Sequence, residues 1–323
     1  MAPRSAGWNV TIVDYATQED LVEKYRKDGH ANFANIEKVD YIWRNEPLYS
    51  TVPPDLLGTF DVLIASHVIE HIPDPIGFLD SAARLLHPTR GILALVVPDK
   101  RWCFDYFKQV STTGQMLDAH RMGAQRHSAA TRFDFPAYIA FDGNRPGWGR
   151  EPLPDLHLPD NMLDHGFAEF QAWSSDPNTP YVDCHAWHFT PSSFELLILE
   201  LGAVGLADWH ISWLSPRPSV EFMTRLGRGR QQFATRVERD NRRLELMKQI
   251  LLEIREQTDW LVGAKPPDTA QVVSGGFDDS AREQLRQVAE TAAMLRSALR
   301  PARAAWQRML PLRRKVAQLR GRV

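Results

Sequence analysis

Two apolar runs on either side of a helical pattern constrain the fold most. Residues 60–66 (FDVLIAS) and 92–97 (ILALVV) are almost wholly apolar, as expected for strands covered on both faces. Between them, residues 75–86 repeat apolar side chains at helical spacing, and Pro75 stands in the first turn, where its missing N–H costs nothing. This order predicts a β-α-β unit, and therefore an α/β fold with a parallel, doubly wound sheet.

Further elements are predicted on both sides of this unit. A helix is expected at residues 18–27, and another is expected to start at Thr190, where TPSSFE offers an N-cap and an N1 proline, and to end at Gly202. Additional strands are predicted at residues 9–13, 39–43, 207–214 and 219–225. The last two are close enough in sequence to pair antiparallel at the sheet edge.

The 323 residues exceed what a single core usually holds, so a second part is expected. We predict an α/β domain at 1–228 and a helical extension at 229–323, with a Pro/Gly/Ser/Asp-rich linker at 265–280. Within the domain, residues 101–183 lack clear periodicity and are expected to form an irregular, substrate-facing insertion. In the extension, the spacing of Leu246, Ile250, Ile254 and Leu261 indicates an amphipathic helix that packs on the domain, as we expect, or pairs with another copy of the chain.

Composition limits the location and partners of the protein. No apolar run approaches the roughly 18 residues of a membrane span, and residues 1–7 do not resemble a secretory signal. With only Cys103 and Cys184 available for disulfides, a cytoplasmic protein is expected. Residues 294–323 carry nine Arg or Lys and no acidic residue, which fits either a solvated basic helix or an anionic partner. No strong nucleic-acid signal is present, and the oligomeric state is not indicated.

The residues that end the predicted strands are the first candidates for a site, because open parallel sheets bind ligands at their carboxyl ends. Asp14 ends the first strand, where its carboxylate could accept both hydroxyls of a ribose or could cap a turn. Asp40 stands beside Tyr41 and Trp43, an arrangement that could recognise adenine; alternatively, Asp40 points to solvent.

A third strand ending is the sequence SHVIEHIPDP at residues 66–75. Taken alone, His67, Glu70 and His71 match the H-x-x-E-H zinc motif, which needs a continuous helix to bring two imidazoles together. A buried strand is predicted to end just before His67, and two prolines follow within four residues of His71. Because barely one helical turn remains, we predict no metal site.

Residues 60–101 (FDVLIASHVIEHIPDPIGFLDSAARLLHPTRGILALVVPDKR) resemble class I S-adenosylmethionine-dependent methyltransferases after their cofactor loop. Residues 7–25 (GWNVTIVDYATQEDLVEKY) are similar to that family's second strand with its acidic end. The resemblance implies a Rossmann-like methyltransferase with S-adenosylmethionine as cofactor. It also implies that Asp14 holds the ribose, that Asp40 faces the adenine, and that Ser66 and His67 line the methionine side.

The family's first strand ends in a glycine-rich loop, whereas only MAPRSAGW precedes the strand predicted at residues 9–13. Either the true start lies upstream, which we expect, or the chain is a degenerate relative. The leading hypothesis is a methyltransferase acting on an oxygen or nitrogen of a small molecule or glycan precursor. The alternatives are a catalytically impaired scaffold that assembles with partners and an NAD enzyme, which would need the same missing loop.

Candidate bases follow from position alone. His71 and Asp99 follow predicted strands and would face the cleft, while His185 and His188 precede the helix that starts at Thr190. Each could equally be a structural, hydrogen-bonded residue, so no single base is predicted. Arg101 and its neighbour Lys100 could bind an anionic acceptor or could equally be solvated surface charges. The phrases PDKRWCFDYF and HAWHFTP resemble a bacterial subgroup associated with glycan biosynthesis.

Overall fold

A computed structural model describes residues 4–26, 33–44, 46–150, 153–174, 176, 181–215 and 219–261. The predicted linker at 265–280 and the basic segment at 294–323 lie outside the described residues. The chain divides into two compact units, Met1–Arg44 with Asp268–Val323, and Asn45–Pro267. Helices and strands alternate through the described chain, as the predicted α/β class requires.

The first unit contains a short parallel pair of strands joined through a helix. Its elements are β1 (Val13–Asp14), α1 (Gln18–Tyr25) and β2 (Tyr41–Ile42). Thr17 and Asp20 cap α1 reciprocally, each side chain bonding the other's backbone N–H. Both strands are shorter than predicted because the Asp40 carboxylate, rather than a ladder carbonyl, accepts the N–H of Ile12 at 2.8 Å.

The second unit begins with the predicted β-α-β unit, which is confirmed. It consists of β3 (Val62–Ser66), α2 (Pro75–Leu85) and β4 (Ile92–Pro98), with β3 and β4 parallel. The Asp74 side chain caps α2 by accepting the N–H of Gly77. The strand β3 lies at the edge of its sheet with Val62 and Ile64 exposed, so the prediction that it is covered on both faces is wrong.

The insertion at residues 101–183 is more regular than predicted. It contains α3 (Thr113–Arg121), α4 (Ala129–Ala137), the small antiparallel strands β5 (Phe141–Asp142), β6 (Arg145–Pro146) and β7 (Leu156–His157), and α5 (Met162–Gln171). Helices α4 and α5 pack closely because Gly166 has no side chain: a Cβ there would lie 2.8 Å from the carbonyl oxygen of Phe133.

The strands that complete the main sheet follow a capped helix. These elements are α6 (Pro191–Ala203), β8 (Trp209–Leu214) and β9 (Glu221–Arg228). Thr190 and Ser193 cap α6 as predicted, but the helix continues past Gly202, and Gly205 adopts the positive φ of 88° after it. The strands β8 and β9 pair antiparallel as predicted, with β9 against β4, so the sheet order is β3-β4-β9-β8.

The last described helix, α7 (Arg236–Leu261), packs on α6. Leu246 is buried in it, and Arg242 and Arg243 form ion pairs with Glu195 and Glu200 of α6. The domain boundary predicted at residue 228 stays a prediction. Within the described ranges, none of the helices combines the length and the apolar character needed to cross a bilayer.

Candidate active site

Three segments of the second unit meet at the carboxyl ends of β3 and β4. They are residues 67–71 after β3, residues 99–105 after β4, and residues 183–189 before α6. Main-chain hydrogen bonds hold them together: Ala186 donates to the carbonyl oxygen of Glu70, and Lys100 donates to that of Phe189, each at 2.8 Å. Side chains far apart in sequence are therefore fixed next to one another.

The chain turns sharply after β3. His67 has a φ of 55°, in the left-handed region that non-glycine residues rarely adopt, and Ile69–His71 forms a single 3₁₀ turn. The continuous helix required by the H-x-x-E-H motif is thus absent here, as the prolines indicated. The turn directs Glu70 inward, and its side chain is only 1% exposed. We refer to His67, Glu70, His71 and His185 as the Glu70 cluster.

Glu70 is a buried carboxylate that makes no hydrogen bond within the described ranges. Its Oε1 lies 3.6 Å from His67 Nδ1 and 3.7 Å from His71 Nε2, which are ion-pair distances but too long for a hydrogen bond. Because buried polar oxygens usually accept hydrogen bonds, both oxygens are suited to accept one from a bound ligand.

His71 is oriented by Asp183, whose Oδ1 lies 2.8 Å from His71 Nδ1. Burial disfavours the imidazolium, but Asp183 and then Glu70 outweigh burial and raise the pKa of His71 to about 9. Burial disfavours the ionised form of Asp183, but the charge of His71 outweighs burial and holds the pKa of the Asp183 carboxyl well below its usual value. The Tyr181 hydroxyl donates to the carbonyl oxygen of His71 at 2.9 Å.

His185 is oriented in the same way by Asp105, with His185 Nδ1 and Asp105 Oδ2 2.6 Å apart. Burial lowers the pKa of His185, against the pull of Asp105. Burial raises the pKa of Asp105, but the Lys108 ammonium, 3.0 Å from Asp105 Oδ1, outweighs burial and holds this pKa well below its usual value. The rings of His185 and His71 meet edge to face, with centroids 4.6 Å apart.

His67 completes the cluster. Its Nε2 lies 2.9 Å from Glu221 Oε2 on β9, and its ring lies 5.9 Å from that of Trp148. The neighbouring Ser66 Oγ is buried and has no hydrogen-bond partner among the described residues. His188 lies at the periphery, where burial lowers its pKa to about 3, and its Nε2 is 3.7 Å from Asp105 Oδ1.

Asp99 is not brought into the Glu70 cluster. It is completely buried, and Arg101 donates to both of its carboxylate oxygens, at 2.9 Å to Oδ1 and 2.6 Å to Oδ2. Arg101 also pairs with Glu256 of α7. Burial lowers the pKa of Lys100 to about 8, and this ammonium donates to Gln257 Oε1 at 2.7 Å. Asp99, predicted as a candidate base, and Lys100 and Arg101, predicted to bind an anionic acceptor, thus bond to groups inside the protein.

Asp14 and Asp40 lie in the first unit and differ in their surroundings. Asp14 ends β1 and accepts the N–H of Tyr15 at 2.7 Å, and burial raises its pKa. Asp40 accepts the N–H of Ile12 and forms an ion pair with Arg4, so its carboxylate holds β1 beside β2. Their roles in cofactor binding stay predictions.

Sequence reasoning missed the acidic residues that orient the histidines. Asp105 lies in the phrase PDKRWCFDYF, and Asp183 stands two positions before His185. Both were included in the stretch interpreted as irregular. The short spacing Asp-x-His at 183–185 was a weak local signal, but Asp183 orients His71 rather than His185, which only the fold reveals.

The comparison with protein families agrees with this geometry. The sequence model of a family described as a methyltransferase domain matches residues 2–197, more than half of the chain. Neither the curated proteins nor the solved structures give a significant match. The family match confirms the resemblance drawn from residues 7–101, the enzyme class and the methyl donor. The chain belongs to the class I S-adenosylmethionine-dependent methyltransferases.

Proposed function

We propose that this enzyme methylates an oxygen or nitrogen of a small molecule or glycan precursor at the Glu70 cluster. The observation that carries the proposal is the buried Glu70 carboxylate, which accepts no hydrogen bond from the part of the chain that the structure describes and faces two imidazoles, each beside an aspartate. The cluster lies at the carboxyl ends of parallel strands, where α/β sheets bind their ligands.

The residues near the strand ends fit the methyl donor in part. Ser66 Oγ is buried and unpartnered among the described residues, so it can bond a polar group of a ligand. The Asp14 carboxylate accepts the N–H of Tyr15 and is also stabilised by the backbone N–H of Ala16 and the charge of Lys24, all from its own turn and helix α1. Asp40 fits less well, because Ile12 and Arg4 already occupy its carboxylate. When bound, S-adenosylmethionine supplies an electrophilic methyl group on a sulfonium sulfur.

The cluster is suited to receive the hydrogen of an acceptor. As an acceptor oxygen or nitrogen forms its bond to the methyl carbon and the carbon–sulfur bond breaks, the acceptor must lose a proton. Asp105 accepts the Nδ1 proton of His185, whose pKa burial lowers, so the neutral imidazole of His185 offers Nε2 as the lone-pair atom. His71, whose pKa Asp183 and Glu70 raise, contributes positive charge beside it. An acceptor positioned against His185 and Glu70 is both oriented and activated.

Two further observations support the finer assignment. The phrases PDKRWCFDYF and HAWHFTP resemble a bacterial subgroup associated with glycan biosynthesis, and they supply Asp105 and His185 respectively. Cys103 and Cys184 are both free and buried, which supports a cytoplasmic enzyme.

The test is release of S-adenosylhomocysteine from purified protein supplied with S-adenosylmethionine and a panel of nucleotide sugars, lipid-linked sugars and small hydroxyl or amine compounds. We expect turnover with one acceptor class and a loss of about 100-fold or more in His185→Ala, with donor binding by isothermal titration retained. His120→Ala is the matched control, since His120 also pairs with an aspartate, Asp74 at 2.8 Å, but outside the cluster. Equal activity of the two variants would contradict the proposal.

A further inference from the structure

Three side chains of the Glu70 cluster converge closely enough to share one ion. Glu70, His71 and His185 each offer one ligand atom, and these atoms all lie within 4.8 Å of one another. Ligands of a single transition-metal ion at about 2.0–2.2 Å are roughly 3–4 Å apart, so small side-chain rotations suffice to close the set.

The two histidines are prepared for such a role by their aspartates. Asp183 and Asp105 lie 2.8 Å and 2.6 Å from the Nδ1 atoms of His71 and His185. A histidine that ligates a metal through one nitrogen usually donates its other N–H to a carboxylate or carbonyl, which fixes the tautomer and the ring orientation. His185 has this arrangement with Asp105, and His71 Nδ1 lies at ion-pair distance from the Asp183 carboxylate.

Glu70 supplies the second and independent observation. Its side chain is 1% exposed, and neither carboxylate oxygen has a hydrogen-bond partner among the described residues. A cation bound between the three side chains would replace the proton on His71 Nε2, as metal binding to histidine requires, and would give the Glu70 carboxylate the partner that it lacks among the described residues.

We propose that Glu70, His71 and His185 bind a divalent transition-metal cation. Two histidines and one carboxylate are a ligand set that Zn²⁺ and non-haem Fe²⁺ use with open coordination positions. The sequence interpretation predicted no metal, because it required both histidines to come from H-x-x-E-H on one helix. Here the second histidine is instead His185, from the segment that precedes α6.

The role of this ion in catalysis rests on the proposed function. The open positions suit an acceptor oxygen, which a bound divalent cation would orient and cause to release its proton more readily. The cluster then acts on the acceptor through the ion, and it favours a hydroxyl over an amine. The new bond joins that oxygen to the methyl carbon, the carbon–sulfur bond breaks with its electron pair left on sulfur, and the hydroxyl proton passes to solvent.

The test measures metal binding directly. Full-length, tag-free protein is freed of metal with a chelator and equilibrated with Zn²⁺ or Mn²⁺ alone, and bound metal is quantified by mass spectrometry. We expect one ion per chain, an affinity at least tenfold lower in Glu70→Gln and His185→Ala, and a loss of about 10–100-fold in Asp183→Asn. His120→Ala should bind like the unmodified protein. Circular dichroism identifies any variant that fails to fold, and Asp183→Asn, at a half-exposed position, keeps the comparison valid.

The outcomes separate the metal site from the methyl-transfer proposal. Absence of stoichiometric binding by the unmodified protein, or equal affinity in folded Glu70→Gln, would overturn the metal site. If metal-free protein still releases S-adenosylhomocysteine at full rate, the proposed function stands and the role of the ion falls. If the ion binds as expected but no acceptor is methylated, the metal site is supported and the proposed function is refuted.

Discussion

The two parallel strands of the main sheet end in buried charged groups that differ in one respect. After β4, both oxygens of Asp99 accept hydrogen bonds from Arg101, which also reaches Glu256 on α7. After β3, Glu70 is buried to the same degree, but neither of its oxygens has a hydrogen-bond partner among the described residues. The two carboxylates are therefore equally buried, but only Asp99 has hydrogen-bond partners among the described residues.

This difference separates a structural role from a functional one. A buried charge with all of its bonds made inside the protein links elements of the fold, here β4 to α7. A buried charge without them keeps oxygens available to accept a bond from a bound group. Removing charges from the two regions should consequently affect different properties, stability in the first and ligand binding in the second.

The largest expected loss of stability comes from a substitution in the region after β4. Arg101→Met leaves Asp99 buried without its cation, so the free energy of unfolding should fall by about 3–5 kcal/mol. The measurement is urea denaturation followed by tryptophan fluorescence. Arg84→Met is the control, since Arg84 pairs with Asp80 on the exposed face of α2 and should change stability by less than about 1 kcal/mol. A loss in Arg101→Met as small as in this control would refute the structural role.

Lowering the pH is expected to have an intermediate effect on the free energy of unfolding. Burial lowers the pKa of His188 from its ordinary 6.5 to about 3, so between these values the unfolded chain binds a proton that the folded chain does not. The free energy of unfolding should therefore fall as the pH drops below about 6.5, by roughly 2 kcal/mol at pH 5. His188→Gln should flatten this dependence between pH 7 and pH 5 in denaturation experiments, whereas His157→Gln, at an exposed position, should not. If the stability of His188→Gln and of the unmodified protein changes equally with pH, burial does not lower the pKa of His188.

The smallest effect on stability is expected at Glu70. Glu70→Gln removes a buried charge that has no hydrogen bond to lose within the described ranges, so stability should stay within about 1 kcal/mol of the unmodified protein or rise. Asp99→Asn is the matched change in the other region and should destabilise by several times more, because it leaves Arg101 buried with a weakened partner. Thermal and urea unfolding of both variants check this. Equal destabilisation would remove the distinction between the two regions.

Much of the fold could be predicted because its signals are local. The apolar runs at 60–66 and 92–97 gave the parallel pair, and the capping residues at Thr190 fixed the start of α6. The short helices of the insertion were missed, although Thr112 and Ser128 cap α3 and α4, because Pro136 and the surrounding glycines and aromatic residues masked their periodicity.

The site was only partly predictable for the opposite reason. His71 and His185 were recognised as candidates from the strand end and the start of α6, yet their meeting depends on main-chain pairing between segments distant in sequence. The same holds for Asp105 and Asp183, whose partners no spacing rule identifies. Asp99 was a reasonable candidate by position, and only its contacts with Arg101 reveal its structural role.

The placement of Asp105 and Asp183 within the insertion has a consequence for evolution and engineering. An insertion that only shaped the acceptor pocket could be exchanged between relatives as a cassette. Here it also carries the carboxylates that pair with His71 and His185, which belong to the surrounding scaffold. Grafts that change substrate preference must therefore retain both aspartates, so the two parts of the protein are constrained to diverge together.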